Sequence, residues 1–148
     1  MLIKIGRMDG ITALVEVREI LEPGIAALAA TRATSDQIAT MQEAVDTMEN
    51  AMGDPHTFVE ADLDFHLALA QATNNALIPA LLDSLADLLR EHRMRAATVE
   101  GALERGQPYH KQIIEAVKNR DEVAARETMR SHLKQIRSDV ERAIQDDS

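Results

Sequence analysis

The chain has 148 residues, 45% of them hydrophobic, with a formal net charge of −9 and no cysteine. That is the size of one ordinary domain with enough apolar material for a sizeable core, which excludes a disordered segment. The acidity argues against direct binding of this segment to DNA or to an anionic membrane. Without cysteine, neither disulfides nor thiolate metal ligands are available. No apolar run is long enough to cross a bilayer and no signal peptide opens the chain, so the cytoplasm is the default location. The only aromatic residues are Phe58, Phe65 and Tyr109. An aliphatic core built on Ala, Leu, Ile, Val and Met favours helices over strands.

Helical periodicity runs nearly end to end. A first helix is predicted from Asp9 to Arg32, with Leu14, Val17, Leu21, Ile25 and Leu28 on its apolar face and Pro23 expected to kink or divide it. Thr34 reads as the N-cap of a second helix, and Gln37 completes a capping box. That helix carries Ile38, Met41, Val45, Met48 and Met52 and stops at Gly53-Asp54-Pro55. A third helix runs from about Thr57 to Thr73. A fourth starts near Ala76, with Pro79 in its first turn, and continues to about Ala96. Thr98 to Gln107 reads as a connection. A fifth helix spans Pro108 to Asn119, and Asp121 caps a sixth that reaches about Gln145. One all-α antiparallel bundle is the economical architecture.

Four residues invite a chemical reading: Asp62, His66, His110 and His132. Asp62 and His66 are four apart on the third helix and share one face. His110 and His132 lie nearly symmetrically about Asn119-Arg120-Asp121. In an antiparallel hairpin each stands roughly 10 residues, about 15 Å of rise, from that turn, hence at the same height. All four share faces with apolar residues and point inward. Burying an unpaired carboxylate costs several kcal/mol, and a divalent cation relieves that cost while accepting imidazole lone pairs. A hydrogen-bonded Asp–His cluster without metal is the bland alternative, and spacing alone leaves both open.

Nitrogen and oxygen donors without sulfur suit Zn, Ni, Co, Mn or Fe(II). Calcium and magnesium would want more carboxylates. With neutral imidazoles, a divalent ion and one carboxylate leave the site positive, so it favours an anionic small molecule. His56 follows Pro55 at a helix start and reads as a surface residue. His92, within Arg90-Glu91-His92-Arg93 beyond the last leucine, is a weak ligand candidate.

The chain resembles the C-terminal ligand-binding (FCD) domain of the FadR subfamily of GntR transcription regulators over nearly its whole length. Glu16-Val-Arg18-Glu-Ile-Leu-Glu22-Pro and Ala29-Ala30-Thr31-Arg32-Ala33-Thr34 are similar to that family's first helix and turn. Asp62-Leu-Asp-Phe65-His66 matches its D-x-x-F-H motif, Asn75 resembles the Asn that follows, and the run from His110 through Ile113, Ala116, Asp121, Ala125 and Met129 to His132-Leu133 matches its closing signature.

The resemblance implies an antiparallel bundle of six or seven helices, a divalent metal (zinc first) held by Asp62, His66, His110 and His132, and a small organic acid beside it. Arg18 matches an arginine that can hold the effector's carboxylate, and Arg137 is a second effector-binding candidate by similarity. The bland reading of Arg18 is an i,i+4 pair with Glu22. The family further implies a homodimer. Its winged helix-turn-helix is not expected within these residues, because Met1 to Met8 cannot form one, so the chain reads either as the sensor half of a longer protein or as a standalone sensor domain. DNA contact is therefore expected only through a separate N-terminal domain, with residues 1–148 forming a single sensing domain. Two other functions compete: a metalloenzyme acting on a small carboxylate, for which no dedicated base is evident, and a purely structural dimerisation module.

Overall fold

A computed structural model describes residues 7–146; most of the segment Met1 to Met8 lies outside them. The elements are α1 (Arg7–Arg32), α2 (Ser35–Glu49), α3 (Pro55–Gln71), α4 (Leu77–Asp83), α5 (Ala86–Ala97), α6 (Ala102–Lys118) and α7 (Glu122–Asp146), with no strand among the described residues. The closest packing is of α1 on α7, α2 on α3 and α6 on α7. Each of these pairs is antiparallel. Arg120 at the start of α7 reaches the Ala33 carbonyl at the end of α1, while Arg137 further along α7 pairs with Glu19. Gln37 in the first turn of α2 bonds Asn74 just past the end of α3.

Local chemistry sets the boundaries. Thr34 and Gln37 form the expected capping box at the start of α2. Asp54 caps α3, accepting from the Thr57 N–H, with Pro55 in the first turn. The α6–α7 hairpin turns on Arg120, whose φ of 56° is left-handed. The Asp121 N–H bonds the Ala116 carbonyl and the Arg120 N–H the Val117 carbonyl, the paired bonds of a Schellman ending. Asp121 then accepts from the Ala124 N–H to start α7. This tight turn holds His110 and His132 level.

Four expectations need correction. Pro23 does not divide α1, which is continuous, and Val17 is exposed rather than part of the apolar face. The single fourth helix is two. Ser84 Oγ captures the Leu81 carbonyl, and the Leu85 N–H turns to Leu82, three residues back, so the α-helical ladder breaks for one turn. The connection before Pro108 is helical: α6 begins at Ala102, behind Gly101 at φ 78°. Pro108 therefore sits inside α6 on an exposed position, and Gly106 and Gln107 join the buried face.

The core is aliphatic as composition requires. Its largest fully buried side chains include Phe65, Met41, Met48, Leu69, Ile113 and Met129. Phe65 lies edge-on beneath the imidazoles, its ring centroid 5.3 Å from that of His110 and 5.7 Å from that of His66.

Candidate metal centre

Three helices deliver the four expected residues to one point. α3 supplies Asp62 and His66, α6 supplies His110 and α7 supplies His132, and all four are buried. The imidazole centroids of His110 and His132 stand 4.6 Å apart, and that of His66 lies 6.2 Å from His110 and 6.1 Å from His132. One ligand atom from each residue lies within 4.8 Å of all the others. Donors bound to one ion at about 2.1 Å stand at most about 4.2 Å apart, so small side-chain shifts bring this cluster onto a shared centre. Asp62 Oδ1 is 3.2 Å from Nε2 of both His66 and His110.

Neighbouring side chains fix which nitrogens face inward. Gln107 donates through Nε2 to the Val45 carbonyl and to Glu49, each at 3.1 Å, so its Oε1 is the acceptor 3.0 Å from His110 Nδ1. His110 therefore carries its proton on Nδ1 and offers the Nε2 lone pair to the cluster. Glu22 does the same for His66 by accepting from Nδ1. Such partners orient ligands and raise their basicity. Gln107→Leu is accordingly expected to retain the fold but weaken zinc binding by about 10–100-fold. A chelator-competition titration checks this, and an unchanged affinity would remove Gln107 from the account.

Two buried residues stand out that sequence reading underrated. Arg93 is 5% exposed; its Nη1 lies 3.1 Å from Asp62 Oδ2, and Nη2 contacts His66 Nε2. His92 is 1% exposed, with Nδ1 3.1 Å from Arg18 Nη1. Both belong to a charged run that reads as surface because the leucines stop at Leu89. Yet Leu89, His92, Arg93 and Ala96 share one helical face, and all four are buried. That spacing was the available signal. Arg18 is also buried, and the expected pair with Glu22 forms. Glu22 thus bridges Arg18 and His66.

Burial pushes the carboxyls of Asp62 and Glu22 upward, but their cationic neighbours outweigh it. Arg93 holds Asp62, and Arg18 holds Glu22, well below the usual carboxylate range. Burial lowers all three of His92, His110 and His132, His92 to about 2 with Arg18 and Arg93 adding to the effect. These imidazoles are neutral at pH 7, the form that ligates metal.

The sign of the pH dependence follows. Below about pH 6.5 the unfolded chain takes up protons on these histidines and the folded chain does not. Folding stability of the metal-free domain is therefore expected to decline as pH falls from 7 towards 5, by roughly 1.4 kcal/mol per pH unit for each imidazole that stays neutral. Urea midpoints measured across that range check it, and midpoints that do not move would contradict the burial argument.

The donor set fits a divalent cation. Asp62 Oδ1, His110 Nε2 and both ring nitrogens of His132 are buried without a hydrogen-bond partner. Polar atoms so placed are costly in a native interior, and a shared cation would satisfy Asp62 Oδ1, His110 Nε2 and one nitrogen of His132 together. Beside the cluster lies a cavity of about 160 Å³ lined by Arg18, Glu22, His66, Leu89 and Arg93 among others, with Glu60, Asp64 and Asp83 also on its walls. A smaller space of about 30 Å³ lies against Asp62, His110 and His132 on another side.

Arg137 is not part of this assembly. It pairs with Glu19, is partly exposed and does not line the cavity. His56 is exposed, as expected.

Residues 13–135 match the FCD domain family model. The chain is 31% identical over 138 residues to the uncharacterized HTH-type transcriptional regulator YcbG of Bacillus subtilis (strain 168), covering 89% of this chain and 55% of that protein. It is 30% identical over 135 residues to the HTH-type transcriptional regulator LutR of the same organism, covering 88% and 62%. Over 116 residues it is 33% identical to the galactonate operon transcriptional repressor of Escherichia coli (strain K12), covering 78% and 51%. The solved structure of Streptococcus agalactiae GntR superposes with a TM-score of 0.75 at 29% identity, over 90% of this chain and 61% of that one. The chain thus spans roughly half to three-fifths of the length of these relatives.

Proposed function

The chain belongs to the FCD domain family, and from that premise we propose that it is the metal-dependent sensing domain of a GntR-type, FadR-like transcription regulator, with a small organic acid as effector. The observation that carries this proposal is the junction of two features. Four buried donors without sulfur converge from three helices, and the 160 Å³ cavity beside them is walled by two buried arginines. The relatives reported above are transcriptional regulators, which sets the domain among regulators rather than enzymes.

Asp62, His66, His110 and His132 would hold the ion. Zinc suits this set best, with Ni, Mn, Co or Fe as alternatives. The ion would supply a positive centre for an anionic ligand. The cavity has the volume of one that admits benzene, so the effector is an acid of a few carbons. Arg18, whose guanidinium is held by Glu22 on the cavity wall, is the arginine we assign to its carboxylate.

The domain acts as one sensing unit, while DNA is contacted through a separate N-terminal domain. Two copies pair through exposed apolar residues, with Val17 and Ile20 on α1 and Leu77 and Leu81 on α4 available for that contact. The effector acts by binding two arrangements of the dimer unequally.

A thermal-shift screen of small carboxylates, with and without chelator, tests the proposal. The expected result is an acid that raises the melting temperature of the metal-loaded protein, and whose calorimetric affinity falls by more than about tenfold on metal removal or in His110→Ala. Equal affinity with and without metal would contradict it.

A further inference from the structure

The buried charges at the cluster balance without any ion. Asp62 and Glu22 offset Arg18 and Arg93, two buried carboxylates against two buried guanidinium groups. Arg93 completes that balance by lying against two of the four donors, Asp62 Oδ2 and His66 Nε2. Asp62 is the one carboxylate with which it forms an ion pair among the described residues. A divalent cation taking Asp62 Oδ1 and His66 Nε2 would remove one of its partners, weaken its hold on Asp62 Oδ2 by drawing on the same carboxylate charge, and set a second positive charge beside it. Burial makes an unpaired guanidinium expensive to keep. Arg93 lines both the 160 Å³ cavity and the smaller space against the cluster, so it stands between them. Its flexible stem can carry the guanidinium from one to the other.

We propose that Arg93 is an internal counter-cation that occupies the metal's place at Asp62 and His66, and that metal binding releases it into the cavity to clamp a carboxylate together with Arg18. This rests on the sensing function proposed above and adds a specific coupling to it. Metal and acid bind cooperatively because the metal creates the anion site. By linkage, acid then tightens metal binding by the same factor. The acid favoured is one whose carboxylate spans two guanidinium groups, which bidentate geometry suits. The fall of the Arg93 pKa to about 10, caused by burial and then by Arg18, agrees with two cations crowded at one wall.

The test measures zinc affinity by chelator competition for wild type, Arg93→Met and Arg93→Lys, in carboxylate-free buffer and again with acetate. In carboxylate-free buffer, Arg93→Met is expected to bind zinc about tenfold tighter than wild type, because the competing cation is gone. Arg93→Lys keeps the charge and stays near wild type. Acetate is expected to tighten wild-type zinc binding about fivefold or more, within the ordinary range of coupling, and to tighten it markedly less in Arg93→Met, where only the ion and Arg18 remain to hold the carboxylate. Zinc binding no tighter in Arg93→Met than in wild type, or equal acetate enhancement in both, overturns the role of Arg93 while leaving the metal centre standing. Wild type that binds no zinc overturns the sensing function and this coupling together. Should Arg93→Met fold only with zinc present, Arg93→Gln in the same titration gives the same comparison.

Discussion

Asp62→Ala is expected to abolish tight metal binding and to destabilise the metal-free domain at once. Asp62 is the only carboxylate among the four converging donors, so its loss should cost more than the about 10–100-fold that outer partners of a ligand carry. The stability effect has a separate cause. Asp62 is 3% exposed and holds the buried guanidinium of Arg93. Removing one partner of a buried pair strands the other, at about 3–5 kcal/mol. That is a large share of the roughly 5–15 kcal/mol that holds a domain folded. Urea unfolding of the metal-stripped protein reads the second effect and a zinc titration the first. A variant with wild-type stability would show that Arg93 finds another partner; one with wild-type zinc affinity would show that Asp62 is not a ligand.

The convergence of the four donors was legible in the sequence because each pair had a purely geometric reason to meet. Four-residue spacing on α3 puts Asp62 and His66 on one face. Equal distances from a tight turn put His110 level with His132, and the left-handed Arg120 makes that turn as short as the symmetry requires. The surroundings were not legible to the same degree. Arg93 and His92 lie in a run whose charge outweighs its helical register. Gln107 stood in a stretch read as a connection, since two glycines and a following proline usually end helices. In the structure α6 runs through Pro108, with Gly106 and Gln107 on its buried face. Arg18 was read both as an effector arginine and as a partner of Glu22. The structure forms the pair, but it could not be foreseen that Glu22 also accepts a hydrogen bond from His66 Nδ1, because that contact joins residues of α1 and α3.

The second large effect concerns the ion itself. The buried lone pairs of Asp62, His110 and His132 have no hydrogen-bond partner, so a cation that binds them stabilises only the folded state. With free metal at a thousandfold its dissociation constant, linkage gives about 4 kcal/mol. For a domain of this size that corresponds to a melting temperature about 10 °C higher. Chelator should reverse the shift, and the variants His110→Ala and His132→Ala should show little of it. A wild-type melting temperature indifferent to zinc and to chelator would leave the cluster as a hydrogen-bonded core without an ion.

The most direct measurement is a titration of the metal-stripped domain with Co²⁺, followed by visible absorption and calorimetry. The d–d bands report the ligand set, and the heats report the stoichiometry. Saturable binding of one Co²⁺ per chain, with bands of a nitrogen- and oxygen-ligated ion that vanish in Asp62→Ala and on addition of excess zinc, is the predicted result. Absence of saturable binding, or bands unaltered by replacing Asp62, His66, His110 or His132, would contradict a metal centre at this convergence of three helices.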